Sequence, residues 1–371
     1  MDETTSASTI HADLAWLSPL LAGRYAIDDI SSGLADGRML RLRGHLLQPA
    51  SDVYADVAPV AAEHSRTLMM RRVGDQDVLL VLQWVPAIKP DRRWLVILLG
   101  VLTVISVLAT YVLNYALEDW SWSALWAALV PGLQFTVALL AILLSHEMGH
   151  YLVARRFGVP VSLPWLIPFP LSPFGTMGAV IRMAGVPPNR RAMLLTGAAG
   201  PLAGLVACLP VLLAGLALSE VRNLPQTGSY VLEGNSLLYW ALKYAIHGEW
   251  LPSATHDLFM HPLAFAGWAG LLVTGFNLIP AGQLDGGHIA SAWLGARARI
   301  LTWITVGLLL IMGFVWQGWF VWAILIVLVS RGQQEPCENI TPLSHAEVGL
   351  AIAMLLLFVI TFTPVPLRFI S

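Results

Sequence analysis

The sequence predicts a mainly helical protein that crosses a membrane several times and begins with a small soluble α+β domain. Of its 371 residues, 57% are hydrophobic and only 12% are charged, about half the charged fraction of a typical soluble domain. Charge-free runs of about 20 residues, the length that crosses a bilayer, occur only after residue 94. We expect an all-α polytopic membrane domain at residues 91–371, with its core at 94–330 and about 6–7 transmembrane helices.

Residues 1–90 carry scattered charges and no apolar run long enough to span a membrane. Apolar and polar residues alternate in Met39–Leu46, which predicts a strand. Thr67–Val73 and residues 77–85 predict two more strands, joined by a turn at Gly74-Asp75. Residues 51–63 have a helical period, with Ser51 as the expected N-cap. Because the N-terminus has neither a basic nor an apolar segment, we expect the first membrane helix to be an uncleaved anchor.

The membrane part divides into apolar segments that predict helices. They are residues 95–115, 121–156, 192–218, 262–280 and 347–363. Prolines and glycines interrupt residues 159–189, which excludes a continuous helix there and predicts a re-entrant loop or a short sheet inside a cavity. Residues 300–329 form a charge-free run that is too long for one helix and short for two.

The arginines set the expected orientation, because basic residues accumulate on the cytoplasmic side. With residues 1–93 in the cytoplasm, the pairs Arg155-Arg156 and Arg190-Arg191 return to that side, as do Arg297 and Arg299. The same bias favours a tight hairpin at residues 300–329. We therefore expect a multi-pass integral membrane protein with a cytoplasmic N-terminus. The formal net charge of −2 gives no electrostatic reason to bind nucleic acid.

The motif with chemical meaning is His146-Glu147-Met148-Gly149-His150, at the end of the second predicted span. Residues i and i+4 share a helix face, so both imidazoles can reach one ion. Zinc activates a water molecule, and the intervening Glu147 has the place of the base that takes the proton of that water. Two histidines at a helix end are common in soluble proteins, but ionisable residues at membrane depth usually have a function.

A catalytic zinc needs a third protein ligand and an open position. Asp285 is the best candidate, because the predicted topology places it on the same side of the membrane as His150. Alone, Asp285 would be interpreted as a turn aspartate before Gly286. His288 is a rival ligand, since it could share a helix face with Asp285.

Taken together, these motifs resemble the site-2 protease family of intramembrane zinc metalloproteases. The resemblance rests on His146-Glu147-x-x-His150 and Leu284-Asp285-Gly286, and on three further matches. These are Phe174-Gly175-Thr176-Met177-Gly178-Ala179, Gly197-Ala198-Ala199-Gly200-Pro201 and Asn277-x-x-Pro280. It covers about residues 94–330 and is strongest for the subgroup of bacterial proteins and chloroplast EGY-type proteases.

The resemblance implies one Zn²⁺ held by His146, His150 and Asp285, with Glu147 as general base. It implies regulated hydrolysis of peptide bonds in or near the transmembrane segments of single-span membrane proteins, at a site reached from the cytoplasm. We accordingly expect an integral protein of a bacterial plasma membrane.

The resemblance also implies a substrate-binding strand, and Gly175, Thr176, Met177 and Gly178 are its candidate residues. An exposed strand edge can pair with an extended peptide, although the same residues could form an ordinary re-entrant loop. Asn277 is a candidate for orienting the substrate, with helix capping as the alternative. Two other functions remain open from the sequence, namely a membrane metal transporter and an inactive relative that binds membrane helices without cutting them.

Overall fold

A computed structural model describes residues 3–33, 39–86, 92–116, 119–224, 230–330 and 335–370. The helices in these residues are α1 (Glu3–Leu21), α2 (Ala50–Glu63), α3 (Arg93–Tyr111), α4 (Trp122–Arg156), α5 (Arg190–Ala217), α6 (Leu237–His247), α7 (Pro262–Asn277), α8 (Asp285–Leu294), α9 (Ala298–Met312), α10 (Gly318–Val329) and α11 (His345–Thr361). The strands are β1 (Tyr25–Gly33), β2 (Met39–Leu46), β3 (Thr67–Val73), β4 (Gln76–Leu82), β5 (Trp165–Pro168), β6 (Thr176–Val180), β7 (Glu220–Asn223), β8 (Tyr230–Glu233), β9 (His256–Phe259) and β10 (Leu367–Ile370).

The N-terminal region is a four-stranded antiparallel sheet in the order β1-β2-β4-β3, with α1 and α2 packed on one face. The predicted strands at 39–46 and 67–73 have the observed bounds, and the strand predicted at 77–85 is β4. Gly74, at φ +61°, makes the tight turn between β3 and β4. The prediction of Ser51 as N-cap is wrong, because α2 begins at Ala50 and Pro49 occupies the cap position. The predicted domain boundary at residues 90–91 lies outside the described residues.

Residues 335–341 connect this sheet to the loop before α5. The Met70 amide on the outer edge of β3 donates to the Cys337 carbonyl at 2.8 Å, and the Asn339 amide donates back to the Met70 carbonyl. On its other side the segment bonds to the loop, since the Cys337 amide donates to the Pro187 carbonyl at 2.9 Å. The edge strand is thereby covered rather than left open to other chains.

Four helical segments are long and apolar enough to cross a membrane, counted over the described residues alone. They are Arg93–Asn114, Trp122–Arg156, Arg190–Ala217 and Asp285–Met312. The first three coincide with predicted spans. The apolar segment predicted at 262–280 is observed as α7, which ends at Asn277 after 16 residues and is shorter than the length criterion. This helix is largely buried, and its face with Gly267 and Gly270 packs closely on Leu212 and Ile142.

The interrupted segment at 159–189 contains a two-stranded antiparallel hairpin formed by β5 and β6. Its turn lies against α3, where the Ser106 hydroxyl donates to the Gly175 carbonyl at 2.6 Å. Residues 300–329 form two packed helices, α9 and α10, as the arginine distribution favoured. The largest hydrophobic cluster joins α4, α5 and α7, and these three helices surround the site described next.

Candidate metal centre

Helix α4 presents His146 and His150 on one buried face. The helix starts at the Ser121 cap, whose hydroxyl accepts from the Ala124 amide at 3.1 Å. It continues without interruption to Arg156, so the two histidines keep the i, i+4 relation that the sequence predicts. Their Nε2 atoms lie 3.1 Å apart, and both side chains are less than a tenth exposed.

The third member of the site comes from the start of α8. Helix α7 ends at Asn277, and the chain turns through Gly282, which has a φ of +60°. The turn places the Asp285 carboxylate between the two imidazoles. Its Oδ2 lies 3.1 Å from His146 Nε2 and its Oδ1 lies 3.2 Å from His150 Nε2. Residues 139 positions apart therefore meet, as the predicted topology required.

These three side chains, called the metal triad below, fit a zinc ion. Their donor atoms, two imidazole nitrogens and one carboxylate oxygen, all lie within 4.8 Å of one another. Tetrahedral bonds of 2.0–2.1 Å require donors about 3.3 Å apart, close to the observed separations of 3.1 and 3.2 Å. His288, the rival ligand, is not part of this group. It lines the adjoining cavity, and its ring bonds to the Gln283 backbone.

Helix α5 orients His150, and glycines allow α5 to pack closely against α4. The Thr196 carbonyl lies 2.7 Å from His150 Nδ1, which leaves Nε2 directed at the triad. A Cβ atom at Gly200 would lie 2.0 Å from His150 Nε2, so no larger residue fits there. Gly149 makes the reciprocal contact, because a Cβ atom there would lie 2.4 Å from the Ala199 carbonyl oxygen.

Glu147 lies beside the triad and is only 8% exposed. Its carboxylate accepts a hydrogen bond from the backbone amide of Ile181, the residue that follows β6. The side chain also lines a cavity of about 460 Å³ that contains the whole triad. Glu147 can therefore reach a molecule bound in that cavity.

The structure brings most of the predicted substrate-binding residues to this cavity. Thr176, Met177, Gly178 and Asn277 line it, and Asn277 Nδ2 lies 3.3 Å from His146 Nε2. Gly175 does not line it. Gly175 is buried against α3, where its φ of +74° and the 2.6 Å from its ideal Cβ to the Ser106 carbonyl oxygen both require glycine.

The sequence analysis did not identify Thr196 or Ile181. Each acts through a backbone atom, the Thr196 carbonyl on His150 and the Ile181 amide on Glu147. Backbone groups leave no side-chain signal, and only the glycine-rich sequence around Gly200 indicated that α5 approaches another element closely.

The chain is similar to known proteins over the part that contains this site. Residues 134–315, which contain the metal triad and Glu147, match "Peptidase family M50". The chain is 33% identical over 242 residues to "Probable zinc metalloprotease EGY2, chloroplastic" of Arabidopsis thaliana, which covers 65% of this chain and 42% of that protein. It is 30% identical over 281 residues to "Probable zinc metalloprotease EGY1, chloroplastic" of the same plant, covering 72% of this chain and 50% of that protein.

The rice protein of the EGY2 type (Oryza sativa subsp. indica) is 34% identical over 243 residues, with 65% of this chain and 43% of that protein covered. The chain thus spans half or less of the length of these curated relatives. No solved structure matches it significantly.

Proposed function

We propose that this chain, which carries a peptidase family M50 domain and is homologous to the EGY zinc metalloproteases, is an intramembrane zinc metalloprotease. It would hydrolyse peptide bonds in or near the transmembrane segments of membrane proteins. The observation that carries the proposal is the meeting of His146, His150 and Asp285 beside Glu147, in a cavity surrounded by apolar helices.

His146, His150 and Asp285 are the residues that would hold the zinc. When bound, zinc supplies a Lewis acid that polarises a carbonyl and lowers the pKa of a water molecule. The Thr196 carbonyl fixes the ring of His150, and the small residues at 149 and 200 allow α4 and α5 to hold both histidines in place. These contacts preorganise the donor atoms.

Glu147 would act as the general base. Its carboxylate would take a proton from the attacking water and later give it to the leaving amine, so that one water molecule is added across the broken C–N bond. The Ile181 amide orients the carboxylate toward the cavity. Asn277, with its amide beside His146, would donate to the carbonyl oxygen of the scissile bond as negative charge develops there.

A helical substrate must be extended before its carbonyl can be attacked. Thr176, Met177 and Gly178 would bind the extended segment along β6 by strand addition. The exposure of Met177, at 67%, supports an accessible strand at the mouth of the cavity. The substrates would be single-span membrane proteins.

The proposal also covers the domain boundaries, the orientation in the membrane and the cellular location. Residues 1–90 would be a cytoplasmic domain and residues 91–371 the membrane-embedded protease, with more spans than the four that satisfy the length criterion. The arginine distribution supports the cytoplasmic N-terminus, and the resemblance to bacterial members supports a bacterial plasma membrane.

The alternative of a metal transporter is less well supported. A transport path needs several metal-binding clusters along its length. Over the described part of the chain, one group of three potential ligands has its donor atoms brought together. An inactive relative would not need a carboxylate at position 147 beside the triad.

The test compares the purified protein with the Glu147→Gln variant in liposomes, using a panel of single-span substrates. Wild type should cleave at least one substrate and contain zinc, and Glu147→Gln should keep the zinc but lose cleavage. Glu249→Gln, at an exposed position outside the site, is the matched control and should cleave like wild type. Equal cleavage by Glu147→Gln and wild type would refute the role of Glu147.

A further inference from the structure

The cavity beside the metal triad has two chemically different ends. The polar end contains the triad, Glu147 and Asn277. Six of the apolar residues that line the cavity are called the apolar end below, namely Leu139, Leu143, Phe174, Leu272, Val273 and Phe276. The proposed chemistry uses only the polar end, so the function of the apolar end has to be argued separately.

Helix geometry explains how the two ends arise. Leu139 and Leu143 precede His146 by seven and three residues and lie on the same face of α4. At 1.5 Å per residue, they extend the cavity by about 5–10 Å from the histidine. Leu272, Val273 and Phe276 precede Asn277 in the same direction on α7, so both helices place apolar side chains on the same side of the polar groups.

The wall of the apolar end is rigid. The Phe174 ring lies 5.9 Å from the Phe265 ring and 6.1 Å from the Trp268 ring, and Phe265 and Trp268 stack on each other at 5.7 Å. Leu139 and Leu143 are 1% and 4% exposed. Side chains fixed in this way give the pocket a defined shape and size.

The size of the cavity selects the conformation of its occupant. One turn of an α-helix, 5.4 Å long and 10–12 Å across, fills about 400–600 Å³. A cavity of about 460 Å³ is of the size of about one helical turn, so it suits a short segment of substrate, and β6 at its side can pair with that segment in an extended form. Residues in a strand are spaced about 3.3 Å apart, so a pocket about 5–10 Å from the histidine would take the side chain of a residue roughly two positions from the scissile bond.

We propose that the apolar end is a specificity pocket that takes one bulky aliphatic or aromatic side chain of the substrate, about two residues from the scissile bond. The proposal rests on the protease function proposed above and adds a substrate preference to it. An apolar, rigid pocket favours a buried leucine or phenylalanine over alanine, because each buried apolar group contributes to binding.

The experiment first locates the cleavage site of one substrate by mass spectrometry. The three residues on either side of that site are then changed singly to Ala, Leu and Phe, and kcat/KM is measured for each substrate. One position should prefer Phe or Leu over Ala by about 10–100-fold. Similar values at all six positions would overturn the pocket, whereas failure of wild type to cleave any substrate would instead count against the protease function.

Variants of the pocket then connect the preference to the structure. Leu139→Phe fills the pocket from α4, and Val273→Phe fills it from α7. Each should lower the Phe-to-Ala ratio of kcat/KM at the selective position by about tenfold or more, while the zinc content shows that the variant is folded. Leu133→Phe is the matched control, since it makes the same change on the outer, 47% exposed face of α4 and should keep the wild-type ratio. An unchanged ratio in both pocket variants would refute the proposal.

Discussion

The structure contains two buried clusters of ionisable side chains that can be compared. One is the metal triad, and the other is called the lysine triad and consists of Glu233, Lys243 and Asp257. Lys243 has no exposed side-chain surface, and its Nζ lies 3.2 Å from Glu233 and 4.0 Å from Asp257. The Tyr239 hydroxyl donates to Glu233, and the Tyr239 ring lies 4.7 Å from the ammonium. The lysine triad joins β8, α6 and β9, outside the four candidate spans.

The two clusters differ in the source of their positive charge. In the lysine triad the cation is a side chain, which fills the space and has no lone pair to offer a metal. In the metal triad one carboxylate and two imidazoles bring three donor atoms within 4.8 Å of one another, and the group borders the cavity. Burial and ionisable residues alone therefore do not identify an active site. An active site is identified by metal-binding atoms that lie close together and can be reached from a cavity.

The largest expected effect comes from breaking the metal triad. Asp285→Ala removes one of three protein ligands, so the zinc content should fall to a small fraction of that of wild type. Cleavage should fall by about 10³-fold or more, because the Lewis acidity of a bound metal supplies several kcal/mol of transition-state stabilisation. Metal analysis and kcat/KM on one substrate measure both changes. Full zinc content in Asp285→Ala would move the third ligand to another residue, and His288→Ala would then be the next variant to measure.

Breaking the lysine triad should affect stability instead. Lys243→Met leaves two buried carboxylates without their cation, and removal of one partner of a buried ion pair costs about 3–5 kcal/mol of unfolding free energy. Adding Glu233→Gln should restore part of this loss, because less uncompensated charge remains. Chemical unfolding in detergent measures the free energies, and metal analysis should show unchanged zinc in both variants. A Lys243→Met variant that is as stable as wild type, or one that loses zinc, would contradict the conclusion that the lysine triad contributes to stability and not to metal binding.

The same contrast explains which features were predictable from sequence. The positions of His146, Glu147 and His150 follow from helix periodicity, and the strands at 39–46 and 67–73 follow from alternation. Asp285 could be proposed because the predicted topology placed it on the same side of the membrane as His150. The lysine triad was not predicted, since its members lie on three elements with no spacing rule between them. Strand β1 was missed because Asp28, Asp29 and Ser31 interrupt any apolar alternation.

Helix ends and lengths were the other weak points. Serine is a residue type that often caps helices, which is why Ser51 was predicted as the N-cap. In the structure Pro49 occupies the N-cap position of α2, and its fixed φ suits a helix start. The apolar segment at 262–280 was predicted as one helix, but α7 ends at Asn277. The close contacts of Gly267 and Gly270 show that this helix packs on its neighbours, and hydropathy does not distinguish such packing from contact with lipid.

The smallest expected effect is a pH dependence that separates the two clusters further. Burial, together with the nearby Asp257, raises the pKa of Glu233 above its ordinary value of 4.5, although Lys243 opposes the shift. Burial also raises the pKa of Asp257. Between the unfolded-state and folded-state pKa values, the folded protein therefore binds more protons at these carboxylates than the unfolded chain does. The resulting stabilisation is complete below the unfolded-state pKa and is lost as the pH rises through the folded-state pKa.

Glu233→Gln removes the contribution of Glu233 to this linkage, because the amide does not titrate. The advantage in unfolding free energy of wild type over Glu233→Gln should therefore shrink as the pH is raised from 5 to 8. Glu249→Gln changes an exposed glutamate of the same loop and should keep the wild-type slope. Parallel pH profiles for wild type and Glu233→Gln would mean that Glu233 binds no extra proton on folding, and that Lys243 compensates its charge.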